Sequence, residues 1–294
     1  MANLKAIRIR ISSVKSTRQI TSAMKMVSAA KLRKAQDKIL RLRPYVAKLN
    51  EILVGLSQSL AEAEIENIYA RPSSDEKVLL VIITSNRGLC GAFNSNVIKE
   101  ARRIVSEHYE DQFRRGNVSF LPIGKKGYDY LRKQDVRLLP ERNSIFNDLT
   151  FDNVSLLAEE IMNSFLSGNF DKVVIVYNQF KNAAVQNLTA ETFLPVGTGA
   201  AETSGVAPAD YIYEPSGEEI IKELIPKSLK IQFYKAILDS YVSEHGARMT
   251  AMHKATDNAT EMIRNLTLQY NKARQSAITN QILEVVSGAE ALKG

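Results

Sequence analysis

The chain has 294 residues, 45% of them hydrophobic and 24% charged, with a net charge of +7. That balance excludes a wholly disordered chain and a collagen-like one. The longest apolar run, Val78 to Ile83, has six residues, far short of the about 20 a membrane-spanning helix needs.

The charge is unevenly placed. Residues 1–48 hold thirteen Lys and Arg against one acid, Asp37, for +12, and the remainder holds 26 bases and 31 acids, for −5. A basic N-terminus on an otherwise acidic chain calls for an acidic partner: nucleic acid, a membrane surface or an acidic protein. The opening, Met1-Ala2-Asn3-Leu4-Lys5, lacks the apolar core of a signal peptide, and its basic pattern runs too long for a transit peptide. Cys90 is the single cysteine and has no partner for an internal disulfide, which points to a reducing, cytoplasmic compartment.

From Leu4 onward, residues recur at alternating gaps of three and four: Leu4, Ile7, Ile11, Val14, Thr17, Thr21, Met24, Ser28, Leu32, Ala35, Ile39, Leu42, Val46, Leu49, Leu53, Leu56 and Leu60. This seam predicts one long N-terminal helix, with Pro44 expected to kink it or break one turn.

The middle alternates strand and helix. Lys77 to Thr84, Val118 to Ile123, Val136 to Leu139 and Lys172 to Tyr177 read as strands. Ser95 to Tyr109, Lys125 to Gln134 and Phe151 to Ser167 read as helices, the last capped by Asp152 or Asn153. That order predicts a mostly parallel sheet. Ala184 to Leu194 and Tyr211 to Tyr213 read as edge strands, and Gly197 to Ala209 as a loop.

At the C-terminal end the seam returns through Ile231, Tyr234, Leu238, Tyr241, His245, Arg248, Met252, Ala255, Ala259, Met262 and Leu266. Lys227 to Ser287 contains no proline. A helix of that length spans about 92 Å, against about 50 Å for the diameter of a compact globule of this chain length. Its apolar face therefore needs the other terminal helix as a partner, and chain direction makes the pair antiparallel. The expected fold is α/β: a long antiparallel coiled coil of the N- and C-terminal helices plus a central Rossmann-like α/β domain. The divisions are 1–68, 69–216 and 217–294. His245 and His253 read as solvated or hydrogen-bonded side chains of the seam rather than metal ligands.

Chemistry is hard to find. The turn Thr84 to Gly91 follows a strand but is not G-x-G-x-x-G, and no G-x-x-x-x-G-K-[ST] occurs. Cys90 near a helix start reads as a small residue in a tight turn, since the nearest histidine in sequence is His108. Two rival classes are a nucleic-acid binder with a basic arm and an α/β enzyme using the Cys90 turn. Residues 1–48 carry one aromatic, Tyr45, and a hydrophobic seam, which favours a protein partner over nucleic acid.

Three segments resemble the γ subunit family of F-type ATP synthases. They are Ile20 to Lys31 (ITSAMKMVSAAK), Ser85 to Asn94 (SNRGLCGAFN) and Leu266 to Thr279 (LTLQYNKARQSAIT), the last followed by Ser287-Gly288-Ala289. They match in order across the whole chain. Asn86 and Gln281 depart from the acids usual in the family, and the cysteine-bearing insert of chloroplast relatives is absent. The resemblance implies a non-catalytic rotor shaft without cofactor or metal, coupling proton-driven c-ring rotation to ATP synthesis. Its implied partners are a ring of three α and three β subunits, with β carrying most of the catalysis, an ε subunit and the membrane c-ring. No nucleic acid and no small-molecule substrate are implied, and the place is the cytoplasmic face of a bacterial plasma membrane. Met24, Lys25, Arg87, Arg274 and Gln275 are the implied contacts with β. Ile282, Leu283, Val285 and Val286 cluster where the shorter N-terminal helix is expected to have ended, and they are expected to seat in an apolar sleeve of the ring.

Overall fold

A computed structural model describes residues 4–60, 68–70, 75–196 and 217–291, without side-chain detail at 50, 53–60 and 217–221. The sequence expectations for 197–209 and 211–213 lie outside these residues. The chain divides into two compact units, Met1–Ala29 with Arg248–Gly294, and Ala30–Ala247. Helices α1 (Leu4–Leu60) and α6 (Gly217–Ala291) each contribute to both.

Helix α1 runs unbroken through Pro44. Proline removes one backbone donor and crowds the carbonyl four residues earlier. Here that neighbour is Leu40, itself 61% exposed, and the helix continues past it. Helix α6 likewise contains Pro226 and begins ten residues before the proline-free stretch.

In the unit Ala30–Ala247 a five-stranded sheet has the order β3-β2-β1-β4-β5. The strands are β1 (Val78–Ile83), β2 (Val118–Ile123), β3 (Arg137–Leu138), β4 (Lys172–Phe180) and β5 (Gln186–Leu194). The first four are parallel, and β5 lies antiparallel on β4 at the edge. Helices α2 (Phe93–His108), α3 (Glu110–Arg114), α4 (Lys125–Leu131) and α5 (Phe151–Leu166) fill the connections.

Strand side chains alternate between faces, and both faces are buried, so the strands are continuous apolar runs. Val78, Leu80, Ile82, Val118, Phe120, Val174 and Val176 pack with Val97, Ala101, Ile104 and Val105 of α2. Leu79, Val81, Ile83, Val173, Ile175 and Tyr177 point the other way. They pack with Val154, Leu157, Ile161 and Phe165 of α5 and with Leu229, Phe233, Ala236 and Ile237 of α6. The early part of α6 is thus a layer of the α/β sandwich. These four α6 residues are not those of the seam: Ile231, Leu238 and His245 are buried as well, so α6 buries a second face here that the seam does not announce. The N-cap of α5 is Thr150, whose hydroxyl accepts from the Asn153 N–H at 3.5 Å, not Asp152 or Asn153. On α1 the residues buried in this unit, Leu32, Ala35, Ile39 and Leu49, keep the expected spacing.

In the unit Met1–Ala29 with Arg248–Gly294, two stretches of helix run antiparallel. Thr256 Oγ1 donates to Thr21 Oγ1 at 2.9 Å, and Lys25 Nζ lies 3.4 Å from His253 Nδ1. Thr21, Ser28, Arg248, Met252, Ala259 and Leu266 are buried. Thr21 is satisfied on both counts, accepting from Thr256 and donating to the Arg18 carbonyl at 3.1 Å. Thr17 and Met262, expected in the seam, are exposed or largely so.

Candidate functional site

The turn between β1 and α2 is locked from within. Ser85 N–H donates to Asn94 Oδ1 at 2.9 Å, Ser85 Oγ donates to the Arg87 carbonyl at 2.7 Å, and Asn94 Nδ2 donates to Cys90 Sγ at 3.3 Å. Leu89 takes φ +62° and Gly91 φ +61°. Left-handed backbone is uncommon for leucine, and it is held here by these bonds. The outcome is a rigid loop that turns Arg87 and Leu89 to solvent, Leu89 at 65% exposure. Cys90 is buried and accepts from an amide, the setting of a packing residue rather than of an activated thiolate.

Asn86 uses both ends of its amide. Its Nδ2 donates to the Asn143 carbonyl at 2.9 Å, and its Oδ1 accepts from Lys125 N–H at 3.0 Å. An aspartate accepts from Lys125 but has nothing to donate to Asn143, which gives the departure at this position a physical use. On the neighbouring turn, Gly127 N–H donates to Thr84 Oγ1 at 2.9 Å.

Of the remaining expected site residues, Met24, Lys25, Arg274 and Gln275 belong to the two-helix unit. Met24 and Lys25 are half-buried; Arg274 and Gln275 are exposed. Lys25 shares His253 Nδ1 with Asp257, whose Oδ2 lies 3.3 Å from that nitrogen. Arg87 belongs to the other unit. The antiparallel register of Thr21 with Thr256 and Lys25 with His253 brings Leu4 beside residues 273–274. Beyond them α6 continues to Ala291. Ile282, Val285 and Val286, with Ile278 and Gln281, line a shallow groove of about 260 Å³ on this stretch. Ile282, Leu283, Val285 and Val286 are 50–72% exposed, an unusual density of apolar surface.

The sequence reading missed a charged site in the α/β unit. Asp239 of α6 is 1% exposed, and Arg43 of α1 reaches it, with Nη2 4.0 Å from Oδ1. Burial pushes the Asp239 carboxyl up to about 6, against the opposing pull of Lys235, Arg43 and a backbone hydrogen bond from Phe180. Nearby, Tyr177 donates to Glu191 at 2.7 Å, and burial drives its phenol well above the usual range. No local pattern marks this site, because Arg43 and Asp239 are joined only by the fold.

Comparison with known proteins gives a consistent result. A family model described as ATP synthase matches residues 3–292. The chain is 58% identical to the ATP synthase gamma chain of Flavobacterium johnsoniae over 294 residues, covering all of both chains. It is 50% identical to that of Cytophaga hutchinsonii, covering 99% of each. Among solved structures, a chain of the Euglena gracilis mitochondrial ATP synthase (OSCP/F1/c-ring, rotational state 3) aligns with a TM-score of 0.66 at 20% identity, over 98% of this chain and 94% of that one. A chain of the rotor of the same enzyme in rotational state 1 aligns with a TM-score of 0.64 at 23% identity, over 94% and 98%. No described helix is long and apolar enough to cross a membrane. With whole-length matches at this identity, the chain belongs to the ATP synthase gamma chain family.

Proposed function

We propose that this chain is the central rotor shaft of an F-type ATP synthase and transmits c-ring rotation to the catalytic sites without performing chemistry itself. The observation that carries the reading is the antiparallel pairing of α1 and α6, with α6 continuing as a single helix whose outer surface is apolar. A single bare helix with exposed Ile282, Leu283, Val285 and Val286 needs an apolar surround, and a ring bore supplies one. In this reading residues 1–68 and 217–294 are the shaft and 69–216 the body that receives torque.

The partners are a ring of three α and three β subunits, an ε subunit and the c-ring, at the cytoplasmic face of a bacterial plasma membrane. The +12 of residues 1–48 suits an acidic surface of β. Met24, Lys25, Arg87, Arg274 and Gln275 are the β contacts. Exposed ion pairs contribute about 0–1 kcal/mol each, so torque passes through many contacts rather than one. Gln281, polar within the apolar groove, reads as a contact at its rim.

The test is co-expression with cognate α and β subunits, followed by native mass determination and an ATPase assay. The expected result is one copy per three α and three β, with activity that falls when the chain is omitted. A ring that assembles and hydrolyses ATP equally well without it overturns the proposal. For the tip, replacing Ile282, Leu283, Val285 and Val286 together by Ser is expected to weaken the complex, and unchanged complex stability and ATPase rate refutes the sleeve.

A further inference from the structure

Arg43, Phe180 and Asp239 form a closed ring of contacts across three elements. Arg43 Nη2 donates to the Phe180 carbonyl at 3.2 Å and faces Asp239 Oδ1 at 4.0 Å. Asp239 in turn accepts from the Phe180 backbone N–H. The last residue of β4 is therefore gripped on both sides, its C=O by α1 and its N–H by α6. Apolar contacts resist separation of two helices but tolerate sliding, because they are non-directional. Directed hydrogen bonds fix register, as Arg43 does on the Phe180 carbonyl. Across to α6, Arg43 faces Asp239 Oδ1 as a charge pair, that oxygen having no hydrogen-bond partner among the described residues.

We propose that this ring is a pH-set pin in which Arg43, held to β4 throughout, ties α1 to α6 as well only while Asp239 is ionised. It goes beyond the rotor reading and does not depend on which subunits the shaft contacts. The groups facing Asp239 are Arg43 from α1, Lys235 from its own helix, Glu191 from β5, and the Phe180 backbone with the Tyr177 hydroxyl region from β4. Arg43 and Lys235 favour the charge; burial and Glu191 oppose it. Burial wins, since the carboxyl sits at about 6. Mild acid thus neutralises Asp239 in place, without expelling it. The Arg43 guanidinium, half-exposed, then loses its ionic partner and keeps only the Phe180 carbonyl. Acidification loosens the pin while leaving the buried carboxyl more comfortable, since a neutral carboxyl is easier to bury than an imperfectly paired ion.

The experiment is amide hydrogen exchange, read by mass spectrometry over segment 172–180, on the full chain assembled with its ATP synthase partners. Each variant is compared with the unchanged chain at the same pH, which cancels the intrinsic chemistry. Arg43→Gln is expected to speed exchange about fivefold at pH 8, a typical effect for a directed polar contact. At pH 5 its effect shrinks, and in an Asp239→Asn background it is small at both pH values. An effect of equal size at pH 8 and pH 5, or of equal size with and without Asp239→Asn, means that Arg43 acts through the Phe180 carbonyl alone and overturns the proposal. So does no effect at pH 8. Should Asp239→Asn fail to assemble, the pH comparison on Arg43→Gln decides alone, with Arg43→Lys expected to restore most of the protection at pH 8.

Discussion

Gly124 should be among the least replaceable residues of the α/β unit. It sits between β2 and α4 with φ +110° and ψ 138°, a region that side-chain-bearing residues enter only at a cost of about 1–3 kcal/mol. A Cβ there meets the Thr84 carbonyl oxygen at 2.1 Å and the carbonyl carbon at 2.7 Å. Backbone cannot swing aside as a side chain can. Thr84 is tied by its N–H to the Ile123 carbonyl at 2.8 Å, and the Ser85 carbonyl accepts from Lys126 N–H at 3.0 Å. Moving this segment strains or breaks one or two such bonds, at about 0.5–1.5 kcal/mol each. Gly124→Ala is therefore expected to destabilise the unit by about 2–6 kcal/mol, the conformational and displacement costs together. Gly116→Ala is the control. Its φ is also positive, at +75°, but a Cβ meets nothing within 4 Å, so strain alone operates and about 1–2 kcal/mol is expected. Urea unfolding of the full chain, comparing midpoints at constant slope, separates the two. A Gly124→Ala loss no greater than that of Gly116→Ala refutes the close-approach argument. Because the displaced backbone begins the turn that carries Arg87, Gly124→Ala is also expected to lower ATPase coupling in the assembled complex.

Phe233, fully buried and 5.4 Å ring to ring from Phe193, ties α6 to the sheet, and Phe233→Ala should cost about 3–5 kcal/mol in thermal or urea unfolding; a loss under about 1 kcal/mol would place the anchor elsewhere. Asn86→Asp keeps the acceptor for Lys125 N–H and loses the donor to the Asn143 carbonyl, so about 1 kcal/mol of stability should go, with no change expected if Asn143 is served by water instead. For pH, the folded-state value of Asp239 is raised, from 3.8 to about 6, so the fold binds its proton more tightly than the unfolded chain does. Stability should rise as pH falls from about 6 toward 4 and level off below, for a total gain of about 3 kcal/mol, because each pH unit between the two values contributes about 1.4 kcal/mol. Asp239→Asn should flatten that window in a series of unfolding curves, and an unchanged pH profile would refute it.

The elements that could be read from the residues were those set by a single repeating physical demand. A strand covered on both faces must be apolar throughout, and β1 and β4 announced themselves as Val/Ile/Leu runs. The seam of α1 likewise obeyed helical spacing from Leu32 to Leu49. Boundaries failed where the signal was absent or spent elsewhere. Helix α2 begins at Phe93, two residues earlier than expected, because Ala92 caps it with no side-chain bond. The nearby Asn94, a natural capping type, accepts from Ser85 N–H through its side-chain oxygen instead. Counting puts Met262 in the seam, yet it is 44% exposed and Leu266 carries the burial. Whether α6 faces a helix or a sheet is invisible to periodicity, since both require the same apolar stripe. Phe233 and Ile237, which lie off the counted seam, are the residues that meet the sheet. The motif residues were legible only as a pattern, while the bonds that hold them explain the pattern: Ser85 and Asn94 close the turn so that Arg87 stands outside it. Arg43 and Asp239 carried no signal, because a charge on an exposed helix face is ordinary and its partner lies 196 residues away. Only the fold makes one of them buried and the other its counter-ion, so long-range pairs of this kind are where a structure adds most to a chain whose architecture is already apparent.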